Sequence, residues 1–339
     1  MCNQLDTMQK KGVFVISIDF ELHWGCIESR PSLNENDQQY FNNTRKAIPD
    51  ILNIFKNSSI HATWATVGML FNKNINDWEA NKPVSLPNYS DESVSTYEWV
   101  AKNKFFNNED PYHFANDIIQ LIRGTPFQEI GTHTYSHYFC LEKGQTISEF
   151  RKDIEMAKKI GLQNGIEAKS LVFPRNQYNE SYLIACREMG ITVVRTNPNI
   201  WFWRPVAKSS VVRKICRTID AYLTLNFSNP VFLENVKNTL PIQLPASRLY
   251  RPWTSRSSIV NKLKLKRILN EMTLAAKKGS YYHIWWHPHN FGNHPAECLR
   301  ELEIIIHHYN NLNKKYGFFS ASMIDAAELV LKNNQEVRN

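Results

Sequence analysis

The sequence predicts an α/β fold in which parallel strands alternate with helices to form a distorted (β/α)7-type barrel. About seven short apolar runs, rich in β-branched and aromatic residues, recur along the chain, and stretches with helical spacing lie between them. Strands that alternate with helices pair in parallel through right-handed crossovers. An open, doubly wound sheet is the rival fold, but no glycine-rich dinucleotide turn follows the first strand.

The elements follow in order along the chain. The predicted strands are Val13–Asp19, His61–Val67, Glu129–His133, Ser170–Phe173, Ile191–Arg195, Tyr281–Trp286 and Gly317–Ser320. The predicted helices are Thr44–Asn57, Ala115–Gly124, Thr146–Asn164, Glu180–Met189, Val260–Lys278, Pro295–Tyr309 and Met323–Lys332.

Two segments interrupt this alternation and are predicted to be long insertions. Residues 72–112 are polar, and residues 198–259 are basic and aromatic. Long excursions between barrel elements often build a substrate groove. We therefore expect a polar N-terminal tail, residues 1–12, followed by a single barrel domain, residues 13–335.

Composition limits the classes of protein that need to be considered. The chain has 339 residues, 42% hydrophobic and 21% charged, which is enough for a large core and excludes general disorder. No apolar run reaches the ~18 residues of a spanning helix, and the first apolar run is too short for a signal-peptide core. The six cysteines form no CxxC pair, so we expect free thiols. These features predict a cytoplasmic protein, with membrane association as an alternative.

The positive charge is concentrated in one segment. The chain has a net charge of +8, yet residues 204–267 hold 13 Lys/Arg and 2 Asp/Glu, an excess of 11 that leaves the remainder at −3. This distribution argues against a protein that coats nucleic acid and favours a local anionic contact. We expect this segment to flank the site and to meet a phosphate-linked or lipid-linked substrate or an anionic membrane. A solvated basic face is the alternative.

Two carboxylates mark the end of the first predicted strand. Because side chains alternate along a strand, Asp19 and Glu21 share a face with Ser17. Barrel enzymes place their catalytic groups at the carboxyl ends of strands. The alternative is that these acids simply meet solvent.

A pair of histidines follows another predicted strand, in the sequence GTHTYSHYF. His133 and His137 are four residues apart, a spacing that brings two imidazoles to one side of a turn or helix. Two histidines and one carboxylate form a plausible ligand set with positions open for water and substrate. An isolated HxxxH pattern also occurs by chance.

Two further strand ends carry chemistry. In LVFPRNQYN a strand leads into Pro174 and Arg175, which either lies on the surface or orients a catalytic carboxylate. In YYHIWWHPHNFG, His283 and His287 share one strand face, and His287 lies at the strand end. His283 fits the description of a hydrogen-bonded core histidine, whereas His287 is the better functional candidate.

Taken together, these motifs resemble the polysaccharide deacetylases with NodB homology, carbohydrate esterase family 4. The resemblance covers roughly Val13 to Phe319 and is closest to the branch found among surface-polysaccharide biosynthesis proteins. It implies a NodB-like barrel and a hydrolase that removes an acetyl or formyl group from an amino sugar. It also implies a divalent metal, which we expect to be zinc, bound by Glu21, His133 and His137.

The resemblance also implies catalytic roles. Asp19 would be the base, Arg175 the arginine that holds this base, and His287 the general acid. We further expect substrate contacts from Trp24, Asn176, Arg251, Trp253 and His289.

The motifs depart from the family pattern in three places. Phe20 stands where a second, adjacent aspartate is usual, so the second acid is displaced to Glu21. The arginine loop reads P-R-N-Q-Y, and the last motif reads H-I-W-W-H-P-H, which leaves His289 as a competitor of His287 for the role of acid. Two alternatives to deacetylation remain: hydrolysis of another carbon–nitrogen bond, such as a cyclic ureide, and a catalytically silent barrel that binds glycans.

Overall fold

The computed structural model describes residues 10–103, 110–198, 200–222 and 230–336. Its strands are β1 (Val13–Phe20), β2 (Ala62–Thr66), β3 (Gln128–Thr132), β4 (Ser170–Val172), β5 (Val193–Thr196), β6 (Ile242–Pro245), β7 (Arg248–Leu249), β8 (Tyr281–Trp286) and β9 (Phe319–Ala321). Its α-helices are α1 (Glu35–Asn57), α2 (Ile75–Ala80), α3 (Thr96–Asn103), α4 (Asn116–Gly124), α5 (Ile147–Gln163), α6 (Glu180–Glu188), α7 (Val211–Asp220), α8 (Ser258–Lys278), α9 (Pro295–Tyr316) and α10 (Met323–Glu336).

The strands form one parallel sheet that supports the predicted barrel. Hydrogen-bonded neighbours follow the order β6-β5-β4-β3-β2-β1-β8-β7, and β9 pairs with β1. Most of the expected N-terminal tail lies outside the described residues. Within them, each predicted strand coincides with an observed strand whose ends differ by at most two residues.

The two edges of the sheet meet at a single bent segment. β6 pairs with β5, whereas β7 pairs with β8, and only Ala246 and Ser247 separate β6 from β7. The Ala246 amide donates to the Thr196 carbonyl at 2.8 Å, and the Ser247 amide donates to the His283 carbonyl at 2.8 Å. One stretch of chain therefore bonds to both edges and links the two ends of the half-barrel.

The predicted insertions contain structure that the sequence patterns do not reveal. β6 and β7 fall within residues 198–259. They were not predicted because the chain passes from one neighbouring strand to another there and leaves only a short segment on each. The same segment contains α7, and residues 72–112 contain α2 and α3. Helix α1 also begins nine residues before the predicted Thr44, because Asn34 and Asp37 form a capping box ahead of its apolar face.

A core between the sheet and the surrounding helices fixes the strand ends. Large buried side chains of β1, β2 and β8 pack against α1, α8 and α9 in one continuous apolar cluster. The described cysteines are free thiols, as expected. Across the residues that the structure covers, none of the helices combines the length and the hydropathy needed to traverse a bilayer.

A buried ion-pair cluster ties α7 to the barrel. Asp220, at the end of α7, accepts hydrogen bonds from Arg248 at 3.0 Å and from Arg267 at 3.2 Å. Glu271 of α8 accepts from Arg248 at 2.6 Å and from Arg267 at 3.0 Å. Two cations therefore balance two anions, and each charge has partners of opposite sign.

We expect Asp220→Ala to lower the free energy of unfolding by about 3 kcal/mol or more, because it leaves buried positive charge without its partner. Urea denaturation measures the change. Glu297→Ala is the matched control, since it removes an exposed pair with Arg300 and should change stability by less than about 1 kcal/mol. Equal, small effects of both substitutions would contradict the assignment.

Candidate active site

The two carboxylates of the first motif lie together at the carboxyl end of β1. Asp19 is within the strand and Glu21 follows its last residue, and their exposed fractions are 2% and 4%. The chain turns sharply at Leu22, whose φ of 44° lies in the left-handed region. Both acids are buried among other polar groups and do not simply meet solvent, so that alternative is excluded.

The two histidines are held by a tight turn after β3. Thr134 and His137 have φ values of 65° and 57°, and residues other than glycine adopt this backbone conformation only when their surroundings impose it. The Asp153 carboxylate on α5 accepts hydrogen bonds from the backbone amides of Tyr135 at 2.6 Å and Ser136 at 3.0 Å. This acid, which sequence reasoning missed, therefore fixes the turn that carries the imidazoles.

Glu21 and the two histidines converge as expected for a ligand set. The Glu21 Oε2 atom lies 3.3 Å from His133 Nε2 and 3.1 Å from His137 Nε2. Ligands about 2.0–2.1 Å from a tetrahedral zinc ion are separated by about 3.3 Å. His133 Nδ1 donates to the Val172 carbonyl at 2.8 Å, which leaves Nε2 as the ring nitrogen directed at Glu21.

The electrostatic surroundings of Glu21 also fit a cation. Among the described residues, its ion-pair partners are all imidazoles. Burial would raise the pKa of Glu21, but His287 and His137 outweigh it and hold this pKa well below its usual range. A divalent ion at this position would take the place of the imidazole protons that face Glu21, because it binds only the unprotonated groups.

A second group of donors shares Glu21 but is less suitable. Cys26, His289 and Glu21 also bring one donor atom each within 4.8 Å of one another. However, burial raises the pKa of the Cys26 thiol to about 12, and its sulfur lies 4.0 Å from His289 Nε2. Metal binding requires a thiolate, so Glu21, His133 and His137 are the better ligand set.

Arg195 holds the Asp19 carboxylate from across the barrel. Its two terminal nitrogens donate to the two oxygens of Asp19 at 2.6 and 2.7 Å. Burial would raise the pKa of Asp19, but the Arg195 charge opposes this, and the pKa lies below its usual value. The side chain of Arg195 is packed over the Trp285 ring at 4.1 Å. This bidentate pair fixes both the charge and the orientation of Asp19.

The prediction that Arg175 holds Asp19 is therefore wrong. Arg175 is exposed at the rim, where it bonds Glu28 and lies 3.3 Å from Glu142. Arg175 lies in the turn after β4 and Arg195 lies within β5, and sequence alone does not show which of the two reaches β1. The signal that could have identified Arg195 is a cation near the end of the apolar run Ile191–Arg195.

A chain of hydrogen bonds supports this pair from below. Ser17 Oγ accepts from Arg195 at 3.0 Å and lies 2.8 Å from His283 Nε2, and the Tyr281 hydroxyl lies 2.6 Å from His283 Nδ1. Burial, together with Arg195, lowers the pKa of His283 well below its usual value, so the ring is neutral. His283 is the hydrogen-bonded core histidine that the sequence predicts.

His287 and His289 both approach the carboxylates, but their exposure differs. His287 Nε2 lies 3.7 Å from Asp19 Oδ2 and 3.6 Å from Glu21 Oε1, and 25% of its side chain is exposed. His289 Nδ1 lies 3.8 Å from Glu21 Oε1, and only 8% of its side chain is exposed. Burial lowers the pKa of His289 to about 3. His287 is the imidazole with access both to the carboxylates and to an entering molecule.

The residues expected to contact substrate separate into different environments. Asn176 accepts from Arg195 at 3.2 Å and so helps to position that side chain. Trp24 is buried, and its ring nitrogen donates to the His113 carbonyl at 2.8 Å, so its role is structural and the expectation of substrate contact is wrong.

Arg251 and Trp253 do not join the carboxylates. Arg251 donates to the Arg217 carbonyl at 3.4 Å, and burial lowers its pKa. The Trp253 ring packs against His294 at 4.8 Å. A separate cavity of about 630 Å³ is lined by residues of the basic segment and by Trp201 and Trp203, and its lining includes none of the ligand residues.

Comparisons with known proteins are consistent with this geometry. A family model described as polysaccharide deacetylase matches residues 37–194, a range that contains both histidines of the turn. No protein of curated function matches the sequence.

Solved structures share the fold at low identity. A proposed polysaccharide deacetylase from Mycobacterium smegmatis has a TM-score of 0.61 at 13% identity, covering 97% of this chain and 93% of its own. A proposed polysaccharide deacetylase from Pseudomonas aeruginosa PAO1 has a TM-score of 0.57 at 10% identity, covering 94% and 91%. The Puue allantoinase has a TM-score of 0.56 at 10% identity, covering 95% and 91%. The family match is a likeness over residues 37–194, and these solved structures support the fold alone.

We expect Gly25→Ala to weaken metal binding by about 10- to 100-fold while the protein still folds. A Cβ atom at Gly25 would lie 2.0 Å from the Glu21 Cδ atom, so the carboxylate must leave its position. Zinc titration with a thermal melt measures both effects. Gly124→Ala, whose added Cβ would meet nothing within 4 Å, is the control. Unchanged zinc affinity in Gly25→Ala would contradict the ligand role of Glu21.

We expect Arg195→Lys to lower kcat by about 100-fold, because lysine keeps the charge but loses the fork that orients Asp19. KM and metal content should change little. Arg175→Lys serves as the control and should keep kcat within about threefold, since its partners lie at the rim. Equal losses of kcat in the two variants would restore Arg175 as a positioning residue.

Proposed function

We propose that the chain is a metal-dependent hydrolase that removes an N-acyl group, acetyl or formyl, from an amino sugar of a cell-surface polysaccharide or its precursor. We further propose that residues 13–335 form one catalytic domain, that the metal is zinc, and that the enzyme acts in the cytoplasm. The family match over residues 37–194 supports the deacetylase class.

One observation carries this proposal. A carboxylate held in a bidentate ion pair, Asp19, lies beside a ligand set of one carboxylate and two imidazoles, with a partly exposed histidine opposite. Amide hydrolysis needs a base for water, a means to polarise the carbonyl, and an acid for the leaving amine. The described residues supply the base and the acid, and their ligand set supplies a place for the third component.

The roles follow from the positions of the groups. A divalent ion held by Glu21, His133 and His137 would act as a Lewis acid towards the water and the amide carbonyl. Asp19 takes the proton of the attacking water, because Arg195 keeps it ionised and aims its oxygens. His287 donates a proton to the departing nitrogen, because it combines access with a position 3.7 Å from Asp19. Asn176 and Ser17 act through Arg195 and are positioning residues.

The alternatives make different predictions about the same residues. A silent, glycan-binding barrel has no need for a bidentate Arg195–Asp19 pair beside an intact ligand set. Hydrolysis of a cyclic ureide would use the same base and ligands, so the products decide between the two hydrolases.

The test is to incubate the purified, zinc-loaded protein with N-acetylated and N-formylated amino sugars and to measure acetate, formate and free amine. We expect release of one acid together with an equal amount of amine, and loss of release after chelation. Asp19→Asn should lower kcat by at least about 100-fold while zinc content is kept, because the amide has no basic oxygen. Turnover of a ureide without release of either acid would overturn the proposal.

Paired substitutions decide between the two late histidines. We expect His287→Ala to lower kcat by about 100-fold or more, because the leaving nitrogen loses its proton donor. His289→Ala is the control and should keep more of kcat, since its ring is buried against Glu21. A much larger loss of kcat in His289→Ala would reverse the assignment.

A further inference from the structure

Helix α7 has its apolar side turned to solvent. Its four aliphatic side chains lie on one side of the helix, and their exposed fractions are 70%, 59%, 51% and 39% for Val211, Val212, Ile215 and Ile219. Surface helices of globular proteins normally bury such a stripe. These four residues are called the apolar face below.

The charged side of the same helix is fixed against the protein. Asp220 is bound by Arg248 and Arg267 in the buried ion-pair cluster. Arg217 Nε donates to the Phe202 carbonyl at 2.7 Å, and Arg213 donates to the Arg204 carbonyl at 3.1 Å. Rotation of the helix to bury its apolar face would break these bonds, so the exposed orientation is the one that the contacts stabilise.

Helix α7 and the segment that leads into it are basic and aromatic. Arg204, Lys208 and Lys214 are exposed, and half of the Trp201 side chain is exposed. Asp220, which is buried and neutralised, is the only acid among residues 200–222. A helix with exposed aliphatic residues, flanking cations and an exposed tryptophan has the composition of an interfacial membrane anchor.

We propose that α7 docks the protein on an anionic lipid bilayer, with the apolar face among the lipid chains and the flanking cations at the headgroups. Charge complementarity favours this partner. A second copy of the chain would bring the same cations against each other. A nucleic acid would satisfy the cations but leave the four aliphatic side chains in water.

The segment before α7 also reaches the rim of the candidate site. Gln177, two residues after Arg175, donates to the Ala207 carbonyl at 3.1 Å. Docking of α7 would therefore hold this part of the rim near the membrane, where a lipid-linked sugar would be presented. The docking itself does not depend on the proposed activity, and its test uses no turnover.

The test is co-sedimentation of the full-length protein with vesicles of phosphatidylcholine alone, and with vesicles in which about a third of the lipid is phosphatidylglycerol. We expect binding to the anionic vesicles that weakens when salt is raised from about 0.1 M to about 0.5 M. Val211→Ser/Ile215→Ser should lower the vesicle affinity at least about tenfold, because two inserted aliphatic groups are lost. Arg204→Glu/Lys214→Glu should lower it similarly.

Matched controls lie on α5, on which Lys159 and Leu162 are exposed. Leu162→Ser and Lys159→Glu should bind vesicles as the unmodified chain does, and melting curves show that all variants fold. Absence of binding, equal binding to both vesicles, or equal losses in the α5 controls would overturn the proposal. So would a dimer that the Val211→Ser/Ile215→Ser variant dissociates, since the apolar face would then be a contact between copies.

Discussion

The bidentate ion pair between Arg195 and Asp19 is the interaction on which the rest of the site depends. It joins β5 to β1 through the inside of the barrel, so it also sets the distance between the two halves of the sheet at this level. A buried carboxylate without a partner is costly and tends to take up a proton. With Arg195 in place, Asp19 stays ionised, so its carboxylate is able to accept a proton.

This pair also determines whether the charge of Glu21 is compensated. Arg195 compensates Asp19, which leaves Glu21 as a second buried carboxylate whose neighbours are imidazoles. The three charged groups together carry a net charge of −1, and a divalent ion at the ligand set would bring the cluster to +1. The carboxylate that Arg195 leaves uncompensated therefore attracts a cation to Glu21, independently of any resemblance. The position of Glu21 also accounts for glycine at position 25, because the carboxylate occupies the space that a Cβ atom would need.

The turns that present these groups are strained in a consistent way. Non-glycine residues with positive φ follow β1, β3 and β4: Leu22, Thr134, His137, Arg175 and Asn176. Each such conformation costs of the order of 1 kcal/mol and persists only where neighbouring contacts impose it. For the turn after β3 the contacts are known, because the Asp153 carboxylate bonds two of its amides. The strained turns thus lower the stability of the fold, but they place the functional side chains at the strand ends.

Periodic patterns in the sequence predicted the longer, buried strands, such as β1 with eight residues and β8 with six. They did not predict β6 and β7, because these strands have only four and two residues, too few to show a period. The candidate ligand set of Glu21, His133 and His137 could be predicted because strand ends in one barrel share a rim. Arg195 was missed because its partner lies on a strand far along the chain, and no local spacing reports a contact through the barrel.

The basic segment shows why a count of charges does not identify a surface. Of the cations that give residues 204–267 their excess, Arg248 and Arg267 are buried with Asp220 and Glu271, and Lys264 is buried with Glu301 at 2.5 Å. These cations hold helices together and are not available to a ligand. Arg204, Lys208 and Lys214, on α7 or in the segment that leads into it, are among the cations that stay exposed, and α7 also exposes its apolar face. The buried cations therefore have a second consequence: by anchoring Asp220, they keep that face turned outward.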